Sequence, residues 1–140
     1  MSVTIIINPI SGGASPEQAR SRAQLASAVG GRHGGRADVF VTERRGHARE
    51  LAKAAAGRGA RLVISWGGDG TLNEVASALA FGNVPLGLVP AGSGNGFARE
   101  LGVAVRPERA IADAIGAQPR AIDLGEVDDR LFVNVAGFGF

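Results

Sequence analysis

A glycine-rich stretch that directly follows an apolar one constrains the fold of this chain more than any other feature. Residues 62–66 read LVISW and residues 67–74 read GGDGTLNE. The pattern predicts a buried strand that stops at two glycines and continues as a helix. The first backbone N–H groups of such a helix lack partners, and the helix dipole favours an anion there. The stretch therefore predicts a phosphate-binding turn.

An acidic residue, Asp69, lies in the middle of this turn. Gly67, Gly68 and Gly70 are expected to give the backbone freedom in φ and to let a ligand approach closely. A carboxylate beside a phosphate is repelled unless Mg²⁺ or a proton in transfer lies between them. The turn therefore indicates phosphoryl chemistry on a metal-bound nucleotide. The alternative is a tight strand–helix turn in which Asp69 only caps the helix.

Two further turns of similar composition follow predicted strands. Residues 84–89 read VPLGLV and precede PAGSGNG, and Ile5–Ile7 precede NPISGG. Ser93 and Asn95 could add side-chain hydrogen bonds to phosphate or ribose oxygens. Three strands that each end in such a turn place three loops along one edge of a sheet, where open α/β sheets bind their ligands.

Before its C-terminal stretch, the chain alternates between strand and helix patterns, which favours an open parallel sheet with helices on both faces. Ser15, Pro16 and Gln18 predict a helix start that continues to about residue 29. Residues 30–35, GGRHGG, are predicted as a flexible loop. Further helices are predicted over residues 46–56, 71–80, 96–101 and 107–115, and further strands over 38–41 and 62–66.

Four stretches together resemble the catalytic domain of the diacylglycerol kinase family of lipid kinases: residues 8–13, 42–48, 67–74 and 90–99. Bacterial lipid kinases and sphingosine or ceramide kinases share this domain, and NAD kinases are more distant. The resemblance covers essentially the whole chain. It implies the N-terminal α/β domain of the NAD kinase/diacylglycerol kinase type, with ATP and Mg²⁺ as cofactors and a diacylglycerol-like lipid hydroxyl as phosphate acceptor.

The resemblance also implies which residues form the site. Asp69 would be the catalytic residue, and Thr42 at the end of the second strand would contact the nucleotide. Gly96 stands where many members of the family have Asp, so no metal ligand is assigned. The implied nucleotide contacts are Asn8, Pro9, Ser11, Gly12, Thr42, Gly67, Gly68, Asp69, Gly70, Thr71, Asn73, Ser93, Gly94 and Asn95.

The C-terminal stretch has a different pattern. Residues 121–127 and 130–135 flank Asp128 and Asp129, which predicts a β-hairpin. In the resembled family this hairpin opens a second, all-β domain. We therefore expect a nucleotide-binding domain over residues 1–120 and the start of a truncated domain over 121–140. Alone, the chain is expected to lack lipid kinase activity, and its apolar end to pair in a homodimer or to be disordered.

Composition narrows the functional classes. The 140 residues include no cysteine and two histidines, which argues against disulfides, thiol chemistry and zinc. No P-loop pattern, membrane-length apolar stretch or nucleic-acid motif is present. A cytoplasmic protein is expected. Peripheral contact with a membrane is also possible in principle, because ten of the fifteen basic residues fall within residues 1–61 and could face anionic lipid. That basic half is alternatively a solvated surface.

Two other functions remain open. An NAD-kinase-like enzyme would share the GGDG turn, although residues 92–99 follow the lipid-kinase pattern. A non-catalytic nucleotide-binding module would share the phosphate-binding edge and lack the transfer reaction. Phosphotransfer assays with lipids and with NAD as acceptors distinguish these functions from a lipid kinase.

Overall fold

The computed structural model describes residues 2–10, 13, 15–80, 82–91, 106–117, 123–127 and 130–134. Within them, four parallel strands form one sheet in the order β2-β1-β3-β4. The strands are β1 (Val3–Ile7), β2 (Ala37–Val41), β3 (Leu62–Gly67) and β4 (Leu86–Pro90). Every residue of β1 and β3 is buried, as expected for central strands of a parallel sheet that is covered on both faces.

Of the helices that the structure describes, two cover each face of the sheet. Helices α1 (Pro16–Gly34) and α4 (Pro107–Gly116) pack on the face that carries Ile5, Ile64 and Trp66. Helices α2 (His47–Gly57) and α3 (Asp69–Leu79) pack on the face that carries Ile6 and Val63. The prediction of an open parallel α/β sheet with helices on both faces is confirmed.

The start of α1 follows from a local signal. Ser15 accepts a hydrogen bond from the Gln18 backbone N–H at 3.2 Å, and Gln18 Oε1 accepts one from the Ser15 N–H at 2.7 Å. Pro16 occupies the first turn, where its missing N–H costs nothing. This reciprocal pair satisfies two N–H groups that would otherwise lack partners.

The end of α1 contradicts the prediction of a flexible loop over residues 30–35. The helix continues to Gly34, and Gly35 ends it at a φ of 80°. A Cβ at Gly30 would lie 2.8 Å from Ala37 Cβ, and one at Gly34 would lie 2.9 Å from Val3 Cγ2. These glycines are therefore helical residues that let α1 approach the sheet closely, rather than loop residues.

Other boundaries shift by a few residues from the predicted ones. Helix α3 begins at Asp69 instead of residue 71, and β4 covers Leu86–Pro90. The predicted hairpin is present as antiparallel strands β5 (Asp123–Val127) and β6 (Arg130–Asn134). The predicted helix over residues 96–101 lies outside the described residues. Among the described helices, none has both the length and the hydropathy needed to cross a membrane.

Candidate functional site

Backbone hydrogen bonds hold the carboxyl ends of the four strands together. The Thr42 N–H, just after β2, donates to the Ile7 carbonyl at 2.8 Å. The Asn8 N–H donates to the Trp66 carbonyl at 2.9 Å, and the Ala91 N–H donates to the Gly67 carbonyl at 3.2 Å. Because the strands are parallel, the turns that leave them all begin at this one edge, as predicted.

The turn after β3 presents the start of α3 to this edge. Gly68, which has no side chain, is the N-cap residue, and the first intrahelical bond runs from the Leu72 N–H to the Gly68 carbonyl at 3.1 Å. The N–H groups of Asp69, Gly70 and Thr71 therefore have no intrahelical acceptor. Asp69 is exposed and is the first helical residue, so it does not occupy the capping position.

The glycines of this turn provide space rather than unusual backbone angles. Among the described glycines, positive φ values occur at Gly13, Gly35, Gly46 and Gly59. The expectation that Gly67, Gly68 and Gly70 use freedom in φ is therefore wrong. A Cβ at Gly67 would lie 2.7 Å from Thr71 Oγ1, so Gly67 is required for packing.

The next two glycines of the turn border open space. A Cβ at Gly68 or at Gly70 would have no heavy atom of the described chain within 4 Å. The backbone of both residues is therefore open to a ligand, which is the part of the glycine prediction that the structure supports. It also means that a side chain added at Gly68 would not clash with any described residue.

Asn8 joins the turn after β1 to the start of α3. Its Nδ2 donates to Thr71 Oγ1 at 3.1 Å, and its Oδ1 accepts from the Ile10 N–H at 3.1 Å. The second bond closes a local turn of the kind that Asn favours. Thr71 is buried, with 6% of its surface exposed. Two predicted nucleotide contacts thus bond to each other across the strand ends.

Arg22 on α1 belongs to this edge, although no sequence pattern indicated it. Its Nη1 donates to the Asn8 carbonyl at 3.2 Å, and its guanidinium carbon lies 5.7 Å from the centre of the Trp66 ring. Burial lowers the pKa of Arg22. A cavity of about 250 Å³ beside it has no predicted site residue in its lining, which consists of Gln18, Ser21, Arg22, Leu25, Trp66 and Pro107.

The remaining predicted residues fall into two groups. Pro9, Thr42 and Asn73 are described: Pro9 follows Asn8, Thr42 is 9% exposed at the end of β2, and Asn73 is half-buried one turn into α3. The other predicted contacts lie outside the described residues and remain predictions. They are Ser11, Gly12, Ser93, Gly94 and Asn95.

Comparison with known proteins decides the family. The family model of the diacylglycerol kinase catalytic domain matches residues 2–127. The chain belongs to this family. It is 43% identical over 104 residues to the "Probable lipid kinase YegS-like" of Pseudomonas aeruginosa PAO1, covering 73% of this chain and 34% of the relative. The family predicted from the sequence is therefore confirmed.

Two further likenesses agree with this membership. A "Probable lipid kinase YegS-like" of Citrobacter koseri is 41% identical over 107 residues, covering 73% of this chain and 36% of the relative. The chain thus spans about a third of the length of these curated relatives. The fold matches a putative diacylglycerol kinase from Bacillus anthracis with a TM-score of 0.79 and 23% identity, covering 94% of this chain and 47% of the other.

Proposed function

We propose that the chain binds ATP with Mg²⁺ at the edge formed by Asn8, Thr42 and residues 67–71. In this proposal it is the nucleotide-binding part of a lipid kinase that transfers the γ-phosphate of ATP to the hydroxyl of a diacylglycerol-like lipid. The observation that carries the proposal is the open turn at the start of α3. The lipid-kinase names of its relatives support the transfer reaction.

The turn suits a phosphate group for two physical reasons. The N–H groups of Asp69, Gly70 and Thr71 have no intrahelical acceptor, and all lie at the positive end of the α3 dipole. No described atom lies within 4 Å of a Cβ placed at Gly68 or at Gly70, so phosphate oxygens would have room to reach these donors. In this proposal Thr42 and Asn8, at the neighbouring strand ends, contact the rest of the nucleotide.

Asp69 fits a role with Mg²⁺. Among the described residues, no three His, Asp or Glu side chains cluster as a self-contained metal site. Mg²⁺ is commonly held by one or two carboxylates together with substrate phosphates, so a single exposed carboxylate beside a phosphate-binding turn is a suitable donor. Bound there, Mg²⁺ would supply neutralisation of the phosphate charge. Asp69 would hold the ion beside the phosphate.

Calorimetric titration with Mg·ATP tests the site. Gly68→Val adds bulk where a phosphate must approach, while its extended backbone (φ −89°, ψ −165°) and open surroundings accommodate the side chain. Gly57→Val is the matched control, because Gly57 is equally open and ends α2, on the far side of the domain from the strand ends. We expect Gly68→Val to weaken binding about tenfold or more, a cost of about 1.4 kcal/mol. Equal Mg·ATP affinities for the two variants would refute the site.

A further inference from the structure

The turn that follows β2 is fixed to the candidate site at its first residue. The Thr42 N–H donates to the carbonyl of Ile7, the residue before Asn8. Residues 43–46 then reverse the chain into α2, whose N-cap residue Gly46 has a φ of 85°. We refer to residues 42–47 as the Thr42 turn. This turn connects Thr42, at the strand ends, to the start of α2.

A histidine nitrogen closes the Thr42 turn. Nδ1 of His47 accepts a hydrogen bond from the Glu43 backbone N–H at 2.9 Å. Two further contacts support the turn: the His47 N–H donates to the Arg44 carbonyl at 3.2 Å, and Arg44 Nη2 lies 2.6 Å from Glu50 Oε2. The bond to Nδ1 depends on the protonation state of the ring, because a ring nitrogen accepts only when it carries no proton.

We propose that His47 is a positioning residue, which holds the Thr42 turn in its nucleotide-binding shape only while Nδ1 is unprotonated. This inference rests on the proposed function, because it concerns nucleotide affinity at the same edge. Protonation replaces the acceptor with a second donor, so that two N–H groups face each other across the turn. The hydrogen bond that links α2 to the residue after Thr42 is then lost, and the affinity for Mg·ATP falls as the pH is lowered.

The ionisable groups that face His47 come from the Thr42 turn, from α2 and from the adjacent α3. The hydrogen bond from Arg44 lowers the pKa of Glu50, so Glu50 stays ionised over the interval in which histidine ordinarily titrates. Strands β1 and β3 beneath α2 carry no ionisable side chain. Glu43 and Arg45 belong to the turn itself. The ionisable side chains on α2 and on the adjacent α3 also include Arg49, Lys53, Asp69 and Glu74.

Two substitutions of His47 by an amide side chain test whether the position of the atom that accepts the Glu43 N–H matters, since both remove the imidazole ring. In His47→Asn, the amide oxygen can occupy the place of Nδ1, one bond beyond Cγ, and it does not titrate. In His47→Gln, the same amide lies one bond further from the backbone and no longer matches the Glu43 N–H. Both variants are neutral at all working pH values, so any difference between them reports the geometry of the acceptor.

The experiment measures the Kd of Mg·ATP for the wild-type chain and both variants near pH 8 and near pH 5.5. The pH dependence of His47→Asn contains the titration of ATP and of every other group, so it is the reference. Relative to that reference, we expect the wild type to lose about 3- to 10-fold in affinity at the lower pH, the range of one hydrogen bond. His47→Gln should bind about 3- to 10-fold more weakly than His47→Asn at both pH values.

Amide exchange of Glu43, corrected for its intrinsic pH dependence, gives a readout that needs no nucleotide. The Glu43 amide should be protected in the wild type near pH 8 and lose protection near pH 5.5, while it stays protected in His47→Asn. Two results would overturn this inference alone. One is a wild type that binds Mg·ATP with the same pH dependence as His47→Asn. The other is a Glu43 amide whose protection does not change with pH. A wild type that binds no Mg·ATP near pH 8 overturns the proposed function and this inference with it.

Discussion

Gly30 in α1 offers a sharp test of how the helix packs on the sheet. A Cβ at this position would lie 2.8 Å from Ala37 Cβ and 3.1 Å from Ile5 Cδ1. The first atom belongs to a short side chain that cannot rotate away, so the helix itself would have to move. The next residue, Gly31, is in the same helix, and a Cβ there would have no described heavy atom within 4 Å. Gly31→Ala is therefore the matched control for Gly30→Ala.

The expected difference follows from two opposing terms. Replacing Gly by Ala inside a helix stabilises the protein by about 0.5–1 kcal/mol, and both variants gain this. Gly30→Ala alone adds an overpacked contact, which costs about 1–3 kcal/mol. The free energy of unfolding should therefore rise in Gly31→Ala, and it should be lower in Gly30→Ala than in Gly31→Ala by about 1–3 kcal/mol.

Urea denaturation of both variants, followed by circular dichroism, measures this difference. The slope of the transition should stay the same, since the surface exposed on unfolding does not change. If both variants were stabilised equally, α1 would not contact the sheet at Gly30. If both were destabilised equally, residues 30–34 would not be helical, and the loop prediction would have been right.

Three further predictions concern single side chains. In a preparation of the protein with lipid kinase activity, Asp69→Ala should lower kcat by about 10²-fold and change the nucleotide Kd less, as expected for a preorganised electrostatic group. A raised KM with a normal kcat would contradict this role of Asp69. Thr4→Val should raise the free energy of unfolding in urea by about 1–3 kcal/mol, because the buried Thr4 hydroxyl has no partner among the described residues; a loss of stability would show that it has one. Arg44→Ala should raise the pKa of Glu50 toward its ordinary value in a carboxyl NMR titration, and an unchanged pKa would argue against the Arg44–Glu50 bond. Because this pKa is depressed in the folded protein, the pair stabilises the fold above the ordinary pKa of Glu, and that contribution disappears as the pH falls through the depressed value.

The elements predicted correctly are those whose signals are local. Ser15 and Gln18 lie three residues apart and form the capping pair that marks the start of α1. The apolar run over residues 62–66 and the glycines after it specify a buried strand and a turn within a dozen residues. Such patterns need no knowledge of the rest of the molecule.

The errors and omissions arise where tertiary contacts decide. Locally, Gly30 and Gly34 disfavour a helix, and only the close approach of Ala37 and Val3 explains why they lie in one. The bond between Asn8 and Thr71 joins residues 63 positions apart, so the sequence could suggest both as site residues but not their pairing. No sequence pattern indicated Arg22 as a residue near the site, because its position beside Trp66 depends on how α1 crosses the sheet.

Binding of a nucleotide phosphate at the start of α3 can be followed residue by residue. Titration of the isotopically labelled chain with Mg·ATP, followed by the chemical shifts of its backbone amides, tests it most directly. We expect saturable shifts at Asp69, Gly70 and Thr71, smaller ones at Asn8 and Thr42, and none at the α2 end around Gly57. Shifts that leave residues 68–71 unchanged, or shifts confined to the cavity beside Arg22, would contradict this.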